Sequence, residues 1–257
     1  MAAPTVLFIH GMYMTPLCWE HWIPVAEARG FRCLAPGWPG RDRSVEELWR
    51  VHPDPTLVRL TLQNVVDHYA DIIATLDARP VIVGHSMGGL ITQMLLQRGI
   101  VAAGVAINSA PPMGVFSLDW NFLRSNWHHV NPFVSVDQPT TMPYHRFCTS
   151  FMNGHPEEQR RNDFERYIVP ESRRVPRNSV TARIDFSRPH APLLFIGGGM
   201  DAIIPPALNR ANFARYSHKE SVTEYKEFSA RTHSIILQSG WEEVVTYVLE
   251  WIGKHHA

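Results

Sequence analysis

The stretch from Val81 to Leu90 constrains this chain more than any other. Val81, Ile82 and Val83 read as an apolar strand that runs directly into Gly84-His85-Ser86-Met87-Gly88 and then into a helix. Glycines stand two positions to either side of the serine, which is the Gly-x-Ser-x-Gly spacing of a nucleophile elbow. The turn needs those glycines because strand and helix approach closely there, and a Cβ at either position would collide with backbone; Gly89 adds further room. Such a turn lifts the Ser86 hydroxyl above the carboxyl end of a sheet. It also puts the Met87 N–H at a helix N-terminus, aimed at any oxyanion formed nearby.

The rest of the chain supplies a sheet for that elbow. Val6 to Ile9 is a short run of β-formers bounded by Pro4 and Gly11, and it predicts a buried strand. The loop after it, His10-Gly11-Met12-Tyr13, is expected to lie across from the elbow helix, where the Met12 N–H supplies a second oxyanion donor. Cys18 to Ala28 has helical spacing and stops at Gly30, a residue suited to end a helix. Phe31 to Ala35 predicts a second strand, ended by Pro36-Gly37 and Pro39-Gly40. An amphipathic helix is expected over Leu57 to Leu76, the elbow helix to stop near Gly99, and a fourth strand over Ala102 to Ile107. Strand and helix alternate throughout, so the expected class is α/β: a mostly parallel sheet of about six strands with helices on both faces. Ligands of such sheets bind at the carboxyl ends of the strands, where both His10-Gly11 and Ser86 fall.

From Pro111 to about His190 that rhythm breaks. Aromatic residues and prolines crowd the segment without any plausible series of parallel strands, and a structureless loop of that length is improbable. An inserted, largely helical cap over 111–190 is expected, splitting the core into 1–110 and 191–257. Its aromatics divide between packing the cap and lining a pocket over Ser86. Trp120, Trp127, Phe147 and Phe151 are the pocket candidates within it, with Tyr13 and Ile203 contributed by the core. Pro156 to Tyr167 reads as a charged helix, and the arginines at 173, 174, 177, 183 and 188 read as a solvated face. The sheet resumes at Pro192 to Gly197; Pro205-Pro206 opens a helix to about Tyr216, Val222 to Phe228 forms the last strand, and Trp241 to Ile252 the last helix.

A serine hydroxyl is a weak nucleophile at neutral pH; it needs an adjacent base, and the base needs a group that fixes its tautomer. Asp201 lies just past the resumed strand and His233 just past the last one, so both are expected on the sheet edge that carries Ser86, in the chain order serine, acid, histidine. Competing residues fit less well. His85 sits on the elbow itself and cannot reach back to the neighbouring hydroxyl, which makes it structural. Asp119 is the best substitute acid; Asp137 lies in the cap and Asp185 before the resumed strand. His128-His129 and His255-His256 are adjacent pairs, which do not share a helix face, and no metal-ligand spacing occurs, so no cofactor and no metal are expected.

Taken together, these residues resemble the α/β-hydrolase superfamily, as a capped serine hydrolase of carboxylesterase type, over nearly the whole chain. The resemblance rests on His10-Gly11, on Gly84-His85-Ser86-Met87-Gly88-Gly89, on Asp201 between Gly198 and Pro205, and on His233. It implies Ser86 as nucleophile, Asp201 as acid and His233 as base, with backbone donors at Met12 and Met87. The chain starts almost at the His-Gly strand, so the two strands that usually open the family are expected to be missing. The implied reaction is cleavage of small or medium apolar esters through an acyl-enzyme. The same residues also serve carbon–carbon bond hydrolysis, acyl transfer, perhydrolysis or slow-turnover ligand reception. Serine at the elbow disfavours an aspartate-nucleophile hydrolase, and Ser234 stands where plant-type hydroxynitrile lyases usually carry lysine.

Bulk composition fits this reading. The 257 residues carry 24 basic and 24 acidic side chains, a formal charge of zero that offers no electrostatic footprint for nucleic acid or an anionic membrane. Neutral small-molecule partners are favoured, with the protein a monomer or homodimer. Three scattered cysteines, Cys18, Cys33 and Cys148, imply no disulfide framework. No targeting segment is visible, and no run approaches the roughly 18 apolar residues of a membrane helix. A cytoplasmic location is expected.

Overall fold

A computed structural model describes residues 3–116, 131 and 133–255. Its centre is a six-stranded, all-parallel sheet in the order β2-β1-β3-β4-β5-β6. The strands are β1 (Thr5–Ile9), β2 (Arg32–Leu34), β3 (Val81–His85), β4 (Ala103–Ile107), β5 (Leu193–Gly198) and β6 (Thr223–Phe228). The chain winds outward from β1 to β2, then returns across β1 to place β3 on its other side. The order therefore reverses between β1 and β3, and the crevice at their carboxyl ends is where ligands of open α/β sheets bind.

Alternate residues of each inner strand feed two separate cores, because successive side chains point to opposite faces. Val6 and Phe8 of β1 pack with Trp19 and Trp22 and with Val245 and Leu249. Leu7 and Ile9 pack instead with Val65, Tyr69, Leu90 and Leu95. The first face is covered by α1 (Trp22–Ala28) and the final C-terminal helix, the second by helices that include α4 (Leu62–Ala74) and α5 (Met87–Gln97).

Two expected helices are shorter than their apolar spacing suggested. The Cys18–Ala28 stretch is a 3₁₀ turn, Pro16–Trp19, followed by α1. The stretch from Leu57 to Leu76 divides into α3 (Pro55–Arg59) and α4, because Leu60 is extended and Thr61 caps α4 by exchanging bonds with Asn64. Such a reciprocal cap satisfies two backbone groups and starts a new helix inside a continuous apolar pattern. The short α2 (Val45–Arg50), missed in the sequence reading, begins with the same device at Ser44 and Glu47.

Between β4 and β5 the named elements among the described residues are short helices separated by longer irregular stretches. A turn at Tyr144–Arg146 continues into a π-helical stretch at Phe147–Phe151; α6 (Glu157–Tyr167) and α7 (Arg174–Ser179) follow. Two of the arginines expected on a solvated face are tethered. Arg174 donates to Asp137 and to the Val58 carbonyl, and Arg177 to the carbonyls of Asn131 and Val134. The fold closes with α8 (Pro206–Phe213), β6 and α9 (Trp241–His255). Among the described residues no helix is long and apolar enough to cross a membrane.

Candidate active site

Ser86 stands between β3 and α5 with φ 57° and ψ −118°, a sparsely populated backbone conformation that costs of order 1–3 kcal/mol. The flanking glycines make the turn sterically possible. A Cβ on Gly84 would lie 2.1 Å from the Gly88 carbonyl oxygen, and one on Gly88 would lie 2.2 Å from that of Ile9. Backbone bonds hold the strained residue: Ser86 N–H donates to Ile107, and its carbonyl accepts from Gly89 and Ala110.

Its hydroxyl lies 3.0 Å from His233 Nε2, and His233 Nδ1 lies 2.7 Å from Asp201 Oδ2. A carboxylate only accepts, so Nδ1 carries the proton and Nε2 presents its lone pair to the Ser86 O–H. The second Asp201 oxygen accepts the Ile203 and Ile204 N–H groups at 2.8 Å each, which fixes the carboxylate at both ends. Asp201 and His233 are both buried. The three residues come from the ends of β3, β5 and β6, the edge on which the sequence reading placed them. Asp137 is instead paired with Arg174, Asp185 caps Ser187, and His255 meets Glu224. Asp119, His128, His129 and His256 lie outside the described residues.

His85 supports His233 through the backbone. Its Nε2–H donates to the His233 carbonyl at 2.8 Å, and burial drives its pKa well down, keeping it neutral. His10 does the same for the loop after β1. Its Nε2 accepts the Trp38 N–H at 3.2 Å, its Nδ1–H donates to the Gly11 carbonyl, and burial lowers its pKa to about 3. Gly11 then lets that loop close on the elbow, since a Cβ there would come within 2.9 Å of Ser86 Cβ. Met12 and Met87 line the same cavity as Ser86. Met87 is the first residue of α5, where a helix leaves its N–H groups without intrahelical partners.

Asn108 is a residue the sequence reading missed. It follows the last residue of β4 at φ 43°, is fully buried, and donates through Nδ2 to the Thr232 carbonyl at 3.1 Å. Its Oδ1 accepts the Gly198 N–H at 2.7 Å. One side chain thus ties the segment leading to Asp201 to the one leading to His233. The available signal was a lone polar residue at the carboxyl end of an otherwise apolar strand. Phe151 is a second support: its ring meets His233 edge-on at 4.9 Å, and its carbonyl accepts the Ser234 N–H.

A cavity of about 410 Å³ opens over Ser86 and His233, lined largely by apolar groups. Of the pocket candidates, Tyr13, Phe151 and Ile203 line it, with Met142, Val180 and Ile204. Phe147 does not; it stacks behind Phe151 at 5.3 Å and is buried in the core. Trp120 and Trp127 lie outside the described residues. Among the described lining residues none is an aspartate, glutamate, lysine or arginine, and no described cluster of three or more His, Cys, Asp or Glu is placed to hold a metal ion.

A model of the alpha/beta hydrolase family matches residues 6–246. Among solved structures, similar folds include a monoacylglycerol lipase from Paleococcus ferrophilus (19% identity, TM-score 0.67, covering 99% of this chain and 97% of that one). A methylesterase from Arabidopsis shares 13% identity with a TM-score of 0.72, covering 98% of this chain and 99% of that one. A pyrethroid hydrolase from Sphingobium faniae shares 19% identity with a TM-score of 0.67, covering 97% of each chain. At these identities the likeness concerns the fold. No curated protein matches the sequence significantly.

Proposed function

The chain belongs to the alpha/beta hydrolase family, and we propose that it is a serine hydrolase that cleaves small to medium apolar carboxylic esters. The hydrogen-bonded line Ser86–His233–Asp201, opening into an apolar cavity, carries this reading. His233 Nε2 takes the Ser86 proton as Oγ attacks the ester carbonyl, and Asp201 stabilises the resulting imidazolium. The developing oxyanion is met by the Met12 and Met87 N–H groups; losing one such donor typically costs about 3–4 kcal/mol of barrier lowering. His233 then gives its proton to the leaving alcohol. Water, activated by the same imidazole, attacks the acyl-enzyme, releases the acid and restores Ser86.

The cavity supports the substrate class. Its volume is near the low end of the roughly 300–1,000 Å³ found for small-molecule sites, and its described lining residues offer no carboxylate, lysine or arginine to a charged substrate. In this reading residues 111–190 are the cap, which is supported by Met142, Phe151, Pro176 and Val180 of this segment lining the cavity. The test is intact-mass spectrometry after a fluorophosphonate probe, followed by a p-nitrophenyl ester series from acetate to palmitate. A single adduct that Ser86→Ala abolishes, with best turnover on the shorter esters, is expected. An adduct without ester turnover would redirect the same residues to carbon–carbon hydrolysis, acyl transfer, perhydrolysis or ligand reception; no adduct would refute the nucleophile.

A further inference from the structure

The loop after β1 carries Met12, and the residue following it is strained. Tyr13 has φ 62°, which a residue with a Cβ keeps only where its surroundings over-determine it. Those surroundings come from the segment between α6 and α7. Tyr13 N–H donates to Glu171 Oε2 at 3.2 Å, and the Tyr13 carbonyl accepts the Val169 N–H at 2.9 Å. Thr140, whose side chain bonds that of Tyr13, is joined to Glu171 by two backbone bonds of 2.7 Å.

The Glu171 carboxylate is itself fixed. It is fully buried, and its Oε1 accepts Arg41 Nη2 at 2.9 Å and the Ser172 N–H at 2.7 Å. Arg41, almost as buried, also donates to the Pro170 carbonyl. A buried ion pair is weak support for stability, because desolvation offsets the attraction, and apolar replacement of both partners is often neutral. What this pair does have is direction. Its second oxygen points at the peptide that joins Met12 to Tyr13.

We infer that Glu171, held by Arg41, is a positioning residue that clamps the Tyr13 peptide and thereby sets the Met12 N–H against the oxyanion. The inference rests on the serine-hydrolase reading of the site. It makes the oxyanion hole a joint product of the β1 loop and the segment inserted between β4 and β5.

Phosphonylation by a fluorophosphonate reads the hole directly. Ser86 Oγ bonds to phosphorus, the proton passes to His233, fluoride leaves, and negative charge builds on the phosphoryl oxygen in the hole. Glu171→Gln keeps the volume but has one carbonyl oxygen for three donors. With that oxygen retained by Arg41 and Ser172, its NH₂ faces the Tyr13 N–H. The second-order labelling rate is expected to fall about 10- to 100-fold, less than outright removal of a donor. The pH midpoint of labelling should stay at the wild-type value, because the serine and base are untouched. The double variant Arg41→Met/Glu171→Met removes both charges and should be similarly slow while folded. Labelling within twofold of wild type in either folded variant, or a shifted midpoint, overturns the inference. In the wild type, the Tyr13 amide should exchange with solvent as slowly as the strand amides; fast exchange overturns the clamp even if both variants misfold. Absence of any wild-type adduct overturns the reading of the site itself, a result distinct from an unchanged variant rate.

Discussion

Acid should destabilise this protein through His10, a buried histidine outside the hydrogen-bonded line Ser86–His233–Asp201. His10 has its pKa lowered from 6.5 to about 3 by burial, so it stays neutral in the folded chain across the mildly acidic range. The unfolded chain binds a proton there from about pH 6.5 downward. The unfolded state then holds more protons, so the stability contributed by His10 is complete above about pH 6.5 and is lost as pH falls towards 3. Between about pH 7.5 and 5.0 the loss comes to about 2 kcal/mol. The comparison is His10→Gln, which keeps an acceptor within reach of the Trp38 N–H but cannot titrate. Urea unfolding of both proteins at the two pH values should show the wild type losing about 2 kcal/mol more than the variant. Other titrating groups cancel in that difference, among them Asp163, whose half-buried carboxyl is raised to about 6 and has the opposite sign. Equal losses in the two proteins would mean that His10 is protonated, or exposed, in the folded state. His85, also lowered by burial, should give a loss of the same sign.

Two further outcomes follow from the supports around His233. Asn108→Ala leaves the Gly198 N–H and the Thr232 carbonyl buried without their partner, at about 1–3 kcal/mol each. Denaturant titration should show the stability loss, and, with Asp201 and His233 as the proposed acid and base, kcat should fall more than KM rises because Asn108 bonds to the segments that carry them; unchanged kcat would contradict that role. Phe151→Ala should cost about 3–5 kcal/mol and enlarge the cavity beside His233, moving the best p-nitrophenyl ester to a longer chain. An unaltered chain-length profile would place the acyl group elsewhere.

Much of this architecture is local chemistry and so is legible in the chain. Val6–Ile9, Val81–Val83 and Leu193–Ile196 are short apolar runs rich in β-formers and bounded by Pro and Gly, the pattern of strands buried on both faces, and the glycines at 84 and 88 permit a tight turn. Because every strand is parallel, residues following strand ends share an edge. That is why Ser86, Asp201 and His233 could be placed together from linear order. Helix boundaries were less legible where a side-chain cap competes with apolar periodicity, as at Thr61.

The remainder depends on groups far apart in sequence. The local sequence marks Asn108 only as a polar residue at a strand end and does not name the partners of Asn108 or Glu171, which are brought near only by folding. The division of Phe147 from Phe151, one packed behind and one facing the cavity, likewise depends on which way a π-helical turn faces. The sequence by itself determined the sheet, the elbow and the order of Ser86, Asp201 and His233 along one edge, because these follow from periodicity and steric necessity within short segments. Tertiary structure alone decided what aligns them and what shape of cavity they face, because those are set by hydrogen bonds and packing between segments whose partners linear order does not name.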